Sequence, residues 1–127
     1  PEEISFNNID GVVLPGGMPG TVNLGKSETV TKAAVYCAEN GKITAAICAA
    51  PSVLGNLGIL KGKKVTCFPG FEKELEGATY TAAPVEIDGN VITGKGAGCA
   101  ILFGKAIVEK AVSAEAANKV CGDMQCP

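Results

Sequence analysis

The chain has 127 residues, enough for one domain that buries roughly two thirds of its unfolded surface. Its 11 basic and 13 acidic residues give a net charge of −2, and no basic cluster favours a nucleic-acid partner. The apolar share of 46% predicts a globular core, but no apolar run approaches the roughly 20 residues of a membrane span.

Apolar runs of four or five residues alternate with segments of helical periodicity along most of the chain. The first half predicts a strand from Gly11 to Leu14, a helix capped by Ser27 and ended by Asn40-Gly41, a strand from Ile43 to Ile47 and a helix from about Ala50 to Leu57. The second half predicts a strand from Lys64 to Phe68, a helical turn from Phe71 to Leu75, strands at Tyr80-Thr81, Val85 to Ile87 and Val91 to Thr93, and helices from Cys99 to Val112 and from Ser113 towards Gly122. The turn Asp88-Gly89-Asn90 indicates a hairpin.

This alternation predicts a single α/β domain over residues 1–127 with a mainly parallel sheet. In such sheets, binding sites form at the carboxyl ends of the strands. Four loops fall at these ends and are expected to converge on one rim: Pro15 to Gly17, Cys48, Phe68-Pro69, and Gly94 to Gly98.

The six cysteines form an even number that would allow disulfide pairing, but their density is below that of small secreted scaffolds. The opening residues do not show the pattern of a secretory leader. We therefore expect reduced thiols and a cytoplasmic protein. The sequence has no histidine and no C-x-x-C pair, so we expect no metal site and no cofactor.

Cys48 is the strongest candidate for a reactive group. It follows a buried strand and precedes small residues and Pro51, a pattern typical of a nucleophile on a sharp strand-to-helix turn. The positive partial charge of a helix N-terminus favours the thiolate, which is the nucleophilic form. A buried core cysteine is the alternative, because free cysteine is among the most buried residue types. Cys37 and Cys67 fit that alternative better than Cys48 does.

Backbone N–H groups near Cys48 could stabilise developing negative charge. Gly16-Gly17 could be no more than a tight turn, but beside a reactive thiol the N–H of Gly17 would be a suitable donor. The N–H of Ala49, directly after the cysteine, is the second. The glycines from Gly94 to Gly98 follow a hairpin strand, so they predict close backbone approach and no dinucleotide fingerprint.

An acid–base partner for Cys48 is not evident in the sequence. Without histidine there can be no Cys-His pair within the chain. Carboxylates are available, but each is expected to lie on a solvated turn or face: Glu39, Glu72, Glu86 and Asp88.

Three motifs resemble the ThiJ/PfpI superfamily in order and spacing: Val12-Val-Leu-Pro-Gly-Gly17, Ala45-Ala-Ile-Cys-Ala-Ala-Pro51 and Gly94-Lys-Gly-Ala-Gly98. The similarity runs from about Ile9 to Val112 and is closest to the branch of the Parkinson-disease-associated deglycase and its bacterial relatives. The resemblance implies a flavodoxin-like α/β three-layer sandwich, homodimers, and a cysteine on a nucleophile elbow.

By the same resemblance, Cys48 matches the nucleophile, and the backbone of Gly17 and Ala49 matches the oxyanion hole. The residues expected to line the site are Gly16, Phe68, Pro69, Gly96 and Gly98. Phe68 stands where many members have a histidine, which counts against peptidase activity. The family also places a glutamate beside the thiol, on a helix upstream of the Pro-Gly-Gly strand. We therefore expect this chain to be the C-terminal two thirds of the family domain, completed by a separate N-terminal segment.

Two classes of function follow from the resemblance. The first is a cysteine-dependent enzyme, a hydrolase or lyase of glyoxalase or deglycase type, which takes small reactive carbonyl compounds through a hemithioacetal on Cys48. The second is a non-enzymatic sensor of oxidative stress or a chaperone, in which Cys48 is oxidised. A cysteine peptidase is a weaker alternative.

Overall fold

Six strands form the sheets of the computed structural model, which describes residues 8–125 of the chain. They are β1 (Gly11–Leu14), β2 (Ile43–Ile47), β3 (Lys64–Val65), β4 (Thr79–Tyr80), β5 (Val85–Asp88) and β6 (Val91–Gly94). The main sheet has the order β1-β2-β6-β5, in which only β5 runs antiparallel to its neighbour. The short strands β3 and β4 form a separate parallel pair.

Helices cover the main sheet on both faces. They are α1 (Gly20–Lys26), α2 (Glu28–Glu39), α3 (Pro51–Asn56), α4 (Ala100–Ala111) and α5 (Ala114–Asp123). Helices α2 and α3 pack on one face, whereas α4 packs on β2, β5 and β6 from the other. The neighbouring residues Ala45 and Ala46 of β2 belong to different core clusters, because successive side chains of a strand point to opposite faces. The predicted flavodoxin-like α/β sandwich with a mainly parallel sheet is confirmed.

Local chemistry explains where several helices begin. The Ser27 side chain accepts a hydrogen bond from the Val30 N–H at 3.3 Å, which caps α2 as predicted. Ser113 caps α5 in the same way, through the Ala116 N–H at 3.0 Å. Pro51 is the first residue of α3, a position where its missing N–H costs no helical hydrogen bond.

The structure differs from the sequence prediction in three segments. Helix α1 was not predicted, because its sequence contains two glycines and no side chain caps its start. The strand predicted from Lys64 to Phe68 ends at Val65, since the next N–H, of Thr66, donates to the Thr93 hydroxyl at 2.9 Å. The helix predicted from Cys99 begins one residue later, after a 3-10 turn over Ala97–Cys99.

No helix within residues 8–125 has the length and apolar character to cross a membrane.

Helix α3 lies so close to the 3-10 turn Glu72–Glu74 that only glycine fits at Gly55. A Cβ atom there would lie 2.0 Å from the Glu74 carbonyl oxygen, which is backbone and cannot swing away. We predict that Gly55→Ala lowers the free energy of unfolding by about 1–3 kcal/mol, the usual cost of overpacking. Denaturant unfolding measures it.

Gly104→Ala is the matched control, because Gly104 also lies in a helix but an added Cβ would meet no atom within 4 Å. It should stabilise by roughly 0.5–1 kcal/mol through helix propensity. Equal effects of the two substitutions would contradict the close approach at Gly55.

Candidate active site at the end of strand β2

Cys48 lies in left-handed backbone between β2 and α3, with a φ of +66°. This region is uncommon for residues other than glycine and is typical of a sharp turn that exposes a functional side chain. Two hydrogen bonds hold the turn. The Cys48 N–H donates to the Gly94 carbonyl at 2.9 Å, and the Cys48 carbonyl accepts from the Phe68 N–H at 2.8 Å. The loops after β2, β3 and β6 therefore meet at the cysteine.

Gly16 brings the loop after β1 to the same point. A Cβ atom at Gly16 would lie 2.4 Å from Cys48 Cβ and 3.3 Å from Cys48 Sγ. Real side chains do not tolerate the shorter of these distances, so the Pro-Gly-Gly loop can pass the cysteine only without a side chain at this position. The absence of a side chain on Gly16 leaves room for the Cys48 side chain.

The backbone N–H groups of Gly17 and Ala49 are the two predicted oxyanion donors. Among residues 8–125, neither the Gly17 N–H nor the Ala49 N–H has a hydrogen-bond acceptor. In a trans peptide the N–H points away from the preceding carbonyl. Because the Cys48 carbonyl points at Phe68, the Ala49 N–H is directed to the opposite side. The carbonyl of Ala49 is fixed in turn by the Ser52 hydroxyl, which donates to it at 2.6 Å.

The predicted site residues lie at different depths. Gly96 is buried, and a Cβ atom on it would lie 3.4 Å from Cδ1 of the Phe68 ring. Phe68 itself is 46% exposed. Pro69 and Gly98 are both exposed, and a Cβ atom on Gly98 would meet nothing within 4 Å. The structure therefore brings Gly16, Phe68 and Gly96 to Cys48 by direct or shared contacts, while Pro69 and Gly98 lie at the rim.

Two residues of the site were not selected from the sequence. Gly94 supplies the carbonyl that accepts from Cys48, and Ser52 orients the peptide after Ala49. Gly94 opens the glycine loop that the sequence motif contains, so its position was visible although its contact was not. The role of Ser52 leaves no signal in the sequence, because a serine in the first turn of a helix has many uses.

The exposure of the thiols separates Cys48 from the core cysteines. Cys48 is half-buried, whereas Cys37 and Cys67 have no exposed surface. Burial is the main cause that raises the pKa of Cys67 to about 11, and the nearby charges of Glu72 and Cys48 contribute in the same direction. Burial also raises the pKa of Cys37, against the opposing charge of Lys42. Both thiols are protonated at neutral pH and pack as core side chains, as predicted.

No acid–base partner of Cys48 is found among residues 8–125, where no side chain makes a hydrogen bond to its sulfur. The Glu72 carboxylate instead accepts from the Gly70 N–H at 2.6 Å, and hydrogen bonds to its own turn lower its pKa. Asp88 accepts from the Lys64 N–H at 2.9 Å. Nor does this part of the chain contain a cluster of three or more cysteine or acidic side chains that could hold a metal ion.

These features define a class of protein. It has an α/β sheet, a cysteine on a left-handed turn between a parallel strand and a helix, and two free N–H groups from the adjoining loops. The chain belongs to the DJ-1/PfpI family, whose model matches residues 2–110.

Known relatives agree with this assignment. The chain is 40% identical to the Parkinson disease protein 7 homolog of Danio rerio over 116 residues, which are 87% of this chain and 60% of the relative. It is 33% identical over 97 residues to a protein of Pyrococcus abyssi named as a deglycase, covering 74% of this chain and 57% of that protein. The crystal structure of Drosophila melanogaster DJ-1beta superposes with a TM-score of 0.89 at 34% identity, covering 96% of this chain and 67% of that one.

The chain spans between 28% and 64% of the lengths of the curated relatives that it matches. Activities of those whole proteins are therefore considered below only as proposals.

The contact between Gly16 and Cys48 generates a direct test of the site. We predict that Gly16→Ala slows the alkylation of Cys48 by iodoacetamide several-fold, because a side chain at position 16 displaces the cysteine. The same overpacking should cost about 1–3 kcal/mol of stability. Peptide mass spectrometry follows alkylation at Cys48.

Gly20→Ala is the control, since an added Cβ at this position would have no neighbour within 4 Å. It should leave the alkylation rate unchanged. An unaltered rate in Gly16→Ala would show that the cysteine does not depend on the space at position 16.

Proposed function

We propose that this protein is a cysteine-dependent enzyme that acts on small reactive carbonyl compounds, as a glyoxalase or a deglycase. The observation that carries the proposal is the half-buried Cys48 thiol on its left-handed turn, beside the unpartnered N–H groups of Gly17 and Ala49. This arrangement suits the addition of a nucleophile to a carbonyl, where negative charge develops on oxygen. The relative from Pyrococcus abyssi that is named as a deglycase supports the same substrate class.

The proposed reaction begins with the Cys48 thiolate. Its sulfur bonds to the aldehyde carbon, and the electron pair of the C=O bond moves to the oxygen, which is stabilised by the N–H groups of Gly17 and Ala49. Protonation of that oxygen gives a hemithioacetal. For methylglyoxal, a carboxylate then takes the proton from this carbon and returns it to the neighbouring carbonyl carbon through an enediol, so that the hemithioacetal becomes a lactoyl thioester. Water hydrolyses this thioester and releases lactate and the thiol. The overall reaction adds one water to methylglyoxal.

The proton-transfer step requires a group that residues 8–125 do not provide. No side chain in this range makes a hydrogen bond to the Cys48 sulfur, and the chain contains no histidine. A glutamate from another segment is the proposed shuttle. Peptidase activity is less well supported, since Phe68 occupies the position expected to hold a histidine and cannot accept a proton.

We predict that Cys48→Ala lowers the turnover of methylglyoxal by at least about 1000-fold, because the covalent intermediate can no longer form. Cys121→Ala, the same substitution at a half-buried cysteine of α5, should retain the wild-type rate. Loss of methylglyoxal and formation of lactate are followed together. Full turnover by the Cys48→Ala protein would reject the mechanism.

A redox function of Cys48 is the second candidate, either as a sensor of oxidative stress or as a chaperone. The contrast between the half-buried Cys48 and the fully buried Cys37 and Cys67 favours it, since oxidation follows access and thiolate character. A hydroperoxide would transfer one oxygen to the sulfur to give a sulfenic acid and water, and a second equivalent would give the sulfinic acid. Oxidation of Cys48 well before the other cysteines, in a protein without aldehyde turnover, would favour this candidate over the enzyme.

We further propose that a separate N-terminal segment completes the sheet beside β1 and supplies the missing carboxylate. Strand β1 pairs only with β2 among the described strands, although parallel strands are usually covered on both sides and faces. Val12 and Leu14 belong to the core on the α2 face, whereas Val13 points to the other face and is 48% exposed. An added strand and helix would cover this edge and the exposed valine.

This proposal predicts the composition of the active species. The protein purified under native conditions should contain either a longer chain or a second polypeptide, because among residues 8–125 the outer edge of β1 has no partner strand and Val13 is 48% exposed. Native and denaturing mass spectrometry measure both. A species whose only chain has a mass of 12.8 kDa, and which unfolds cooperatively and turns over methylglyoxal, would contradict it. Assembly as a homodimer and a cytoplasmic location stay predictions.

A further inference from the structure

Phe68 carries a large apolar side chain on a backbone segment that is hydrogen-bonded to Cys48. The residue is 46% exposed. Single exposed apolar residues are common and need no explanation in general. This one differs in its position, since its own backbone N–H donates to the Cys48 carbonyl at 2.8 Å. The ring and the thiol are therefore carried by two backbone segments that are joined directly to each other.

The loop after β6 contacts one side of the Phe68 ring at Gly96. Gly96 is buried. A Cβ atom built on Gly96 would lie 3.4 Å from Cδ1 and 3.8 Å from Cε1 of the Phe68 ring. The same loop begins at Gly94, whose carbonyl accepts from the Cys48 N–H at 2.9 Å. The ring thus rests on a segment that is itself bound to the cysteine, and its remaining surface faces solvent. Packing on one side restricts the ring while leaving apolar surface for a ligand.

We propose that Phe68 is a specificity residue of the Cys48 site, and that its ring contacts the substituent carried by the carbonyl carbon of the substrate. The site would then prefer aldehydes with an aromatic or bulky apolar substituent over those with a methyl group. As far as it names a substrate class, this inference rests on the proposed function. The preference itself applies to any electrophile that reaches Cys48.

The chemistry of the side chain supports binding and excludes proton transfer. A phenyl ring has no titratable group and no hydrogen-bond donor or acceptor, so it cannot act as an acid or base beside the thiol. Aromatic pairs add a favourable contact beyond the burial of their apolar surface, which corresponds to a preference of about 2- to 10-fold. The ring can therefore raise the rate for one substituent over another without changing the reacting atoms.

Alkylation of Cys48 tests the preference without requiring enzymatic turnover. Iodoacetamide and N-benzyl iodoacetamide carry the same reacting carbon, which bonds to sulfur while iodide leaves, but only the second carries an aromatic ring. The measured quantity is the ratio of the two alkylation rates, benzyl reagent over iodoacetamide. We predict that this ratio is about 2- to 10-fold higher for Cys48 in the wild-type protein than for glutathione. Phe68→Ala should reduce this ratio to that of glutathione, because the rate for the benzyl reagent falls more than the rate for iodoacetamide. Peptide mass spectrometry separates Cys48 from the other cysteines.

Two further variants keep the test decisive. Phe68→Leu retains an apolar side chain at the position and should give an intermediate ratio, even if Phe68→Ala does not fold. Val112→Ala truncates a more exposed apolar residue, 72% exposed at the end of α4, and should leave the ratio at the wild-type value. An unchanged ratio in both Phe68 variants would overturn the proposal. An equal fall for both reagents would also overturn it, because it would show that Phe68 only maintains the position of Cys48.

Turnover of two aldehydes separates this inference from the proposed function. Phenylglyoxal should be preferred over methylglyoxal in kcat/KM, and Phe68→Ala should remove that preference by lowering kcat/KM for phenylglyoxal more than for methylglyoxal. Absence of turnover with both aldehydes in the natively purified wild-type species, with the proposed N-terminal segment present, would refute the proposed enzyme, while the alkylation ratio would still decide the role of Phe68. Turnover without any preference would refute the specificity role alone.

Discussion

The backbone of Cys48 is the constraint on which the candidate site depends. A left-handed residue other than glycine is strained by about 1 kcal/mol or more, so neighbouring groups must hold it in place. Here its N–H is bound by Gly94 and its carbonyl by Phe68, while Gly16 passes alongside without a side chain. Each contact comes from a different loop. The loops after β1, β3 and β6 are thus held to one anchor, the backbone of Cys48.

The packing of the helices around the candidate site depends on small side chains in β2. Because Ala45 and Ala46 face opposite layers, helices can approach the central strand from both sides. Close approach also brings α3 to the Glu72–Glu74 turn, where Gly55 has no space for a side chain. Close packing of this kind leaves α3 little freedom to move, and the cysteine lies three residues before the first residue of the helix.

Strand β3 is attached to the main sheet by hydrogen bonds to side chains of β5 and β6, and not by backbone pairing between the described strands. The Thr93 hydroxyl accepts from the Thr66 N–H, and the Asp88 carboxylate accepts from the Lys64 N–H, each at 2.9 Å. These two bonds attach the small β3–β4 pair to β5 and β6 without a continuous pairing of strands. They also end β3 early, so the chain turns and delivers Phe68 to the cysteine. The position of Phe68 beside the Cys48 carbonyl is thus a consequence of how β3 is attached.

The sequence by itself determined the order of strands and helices, the cap at Ser27, the hairpin after β5 and the position of Cys48 at the end of a strand. These are local features, since turn residues, caps and apolar periodicity act within a few positions. Tertiary structure decided helix α1, whose Thr21 is buried by packing although glycines weaken its own helical preference. It also decided which N–H groups stay free, that position 16 has no space for a side chain, and that Phe68 rests on Gly96. Such contacts join residues far apart in the chain, and no local pattern records them.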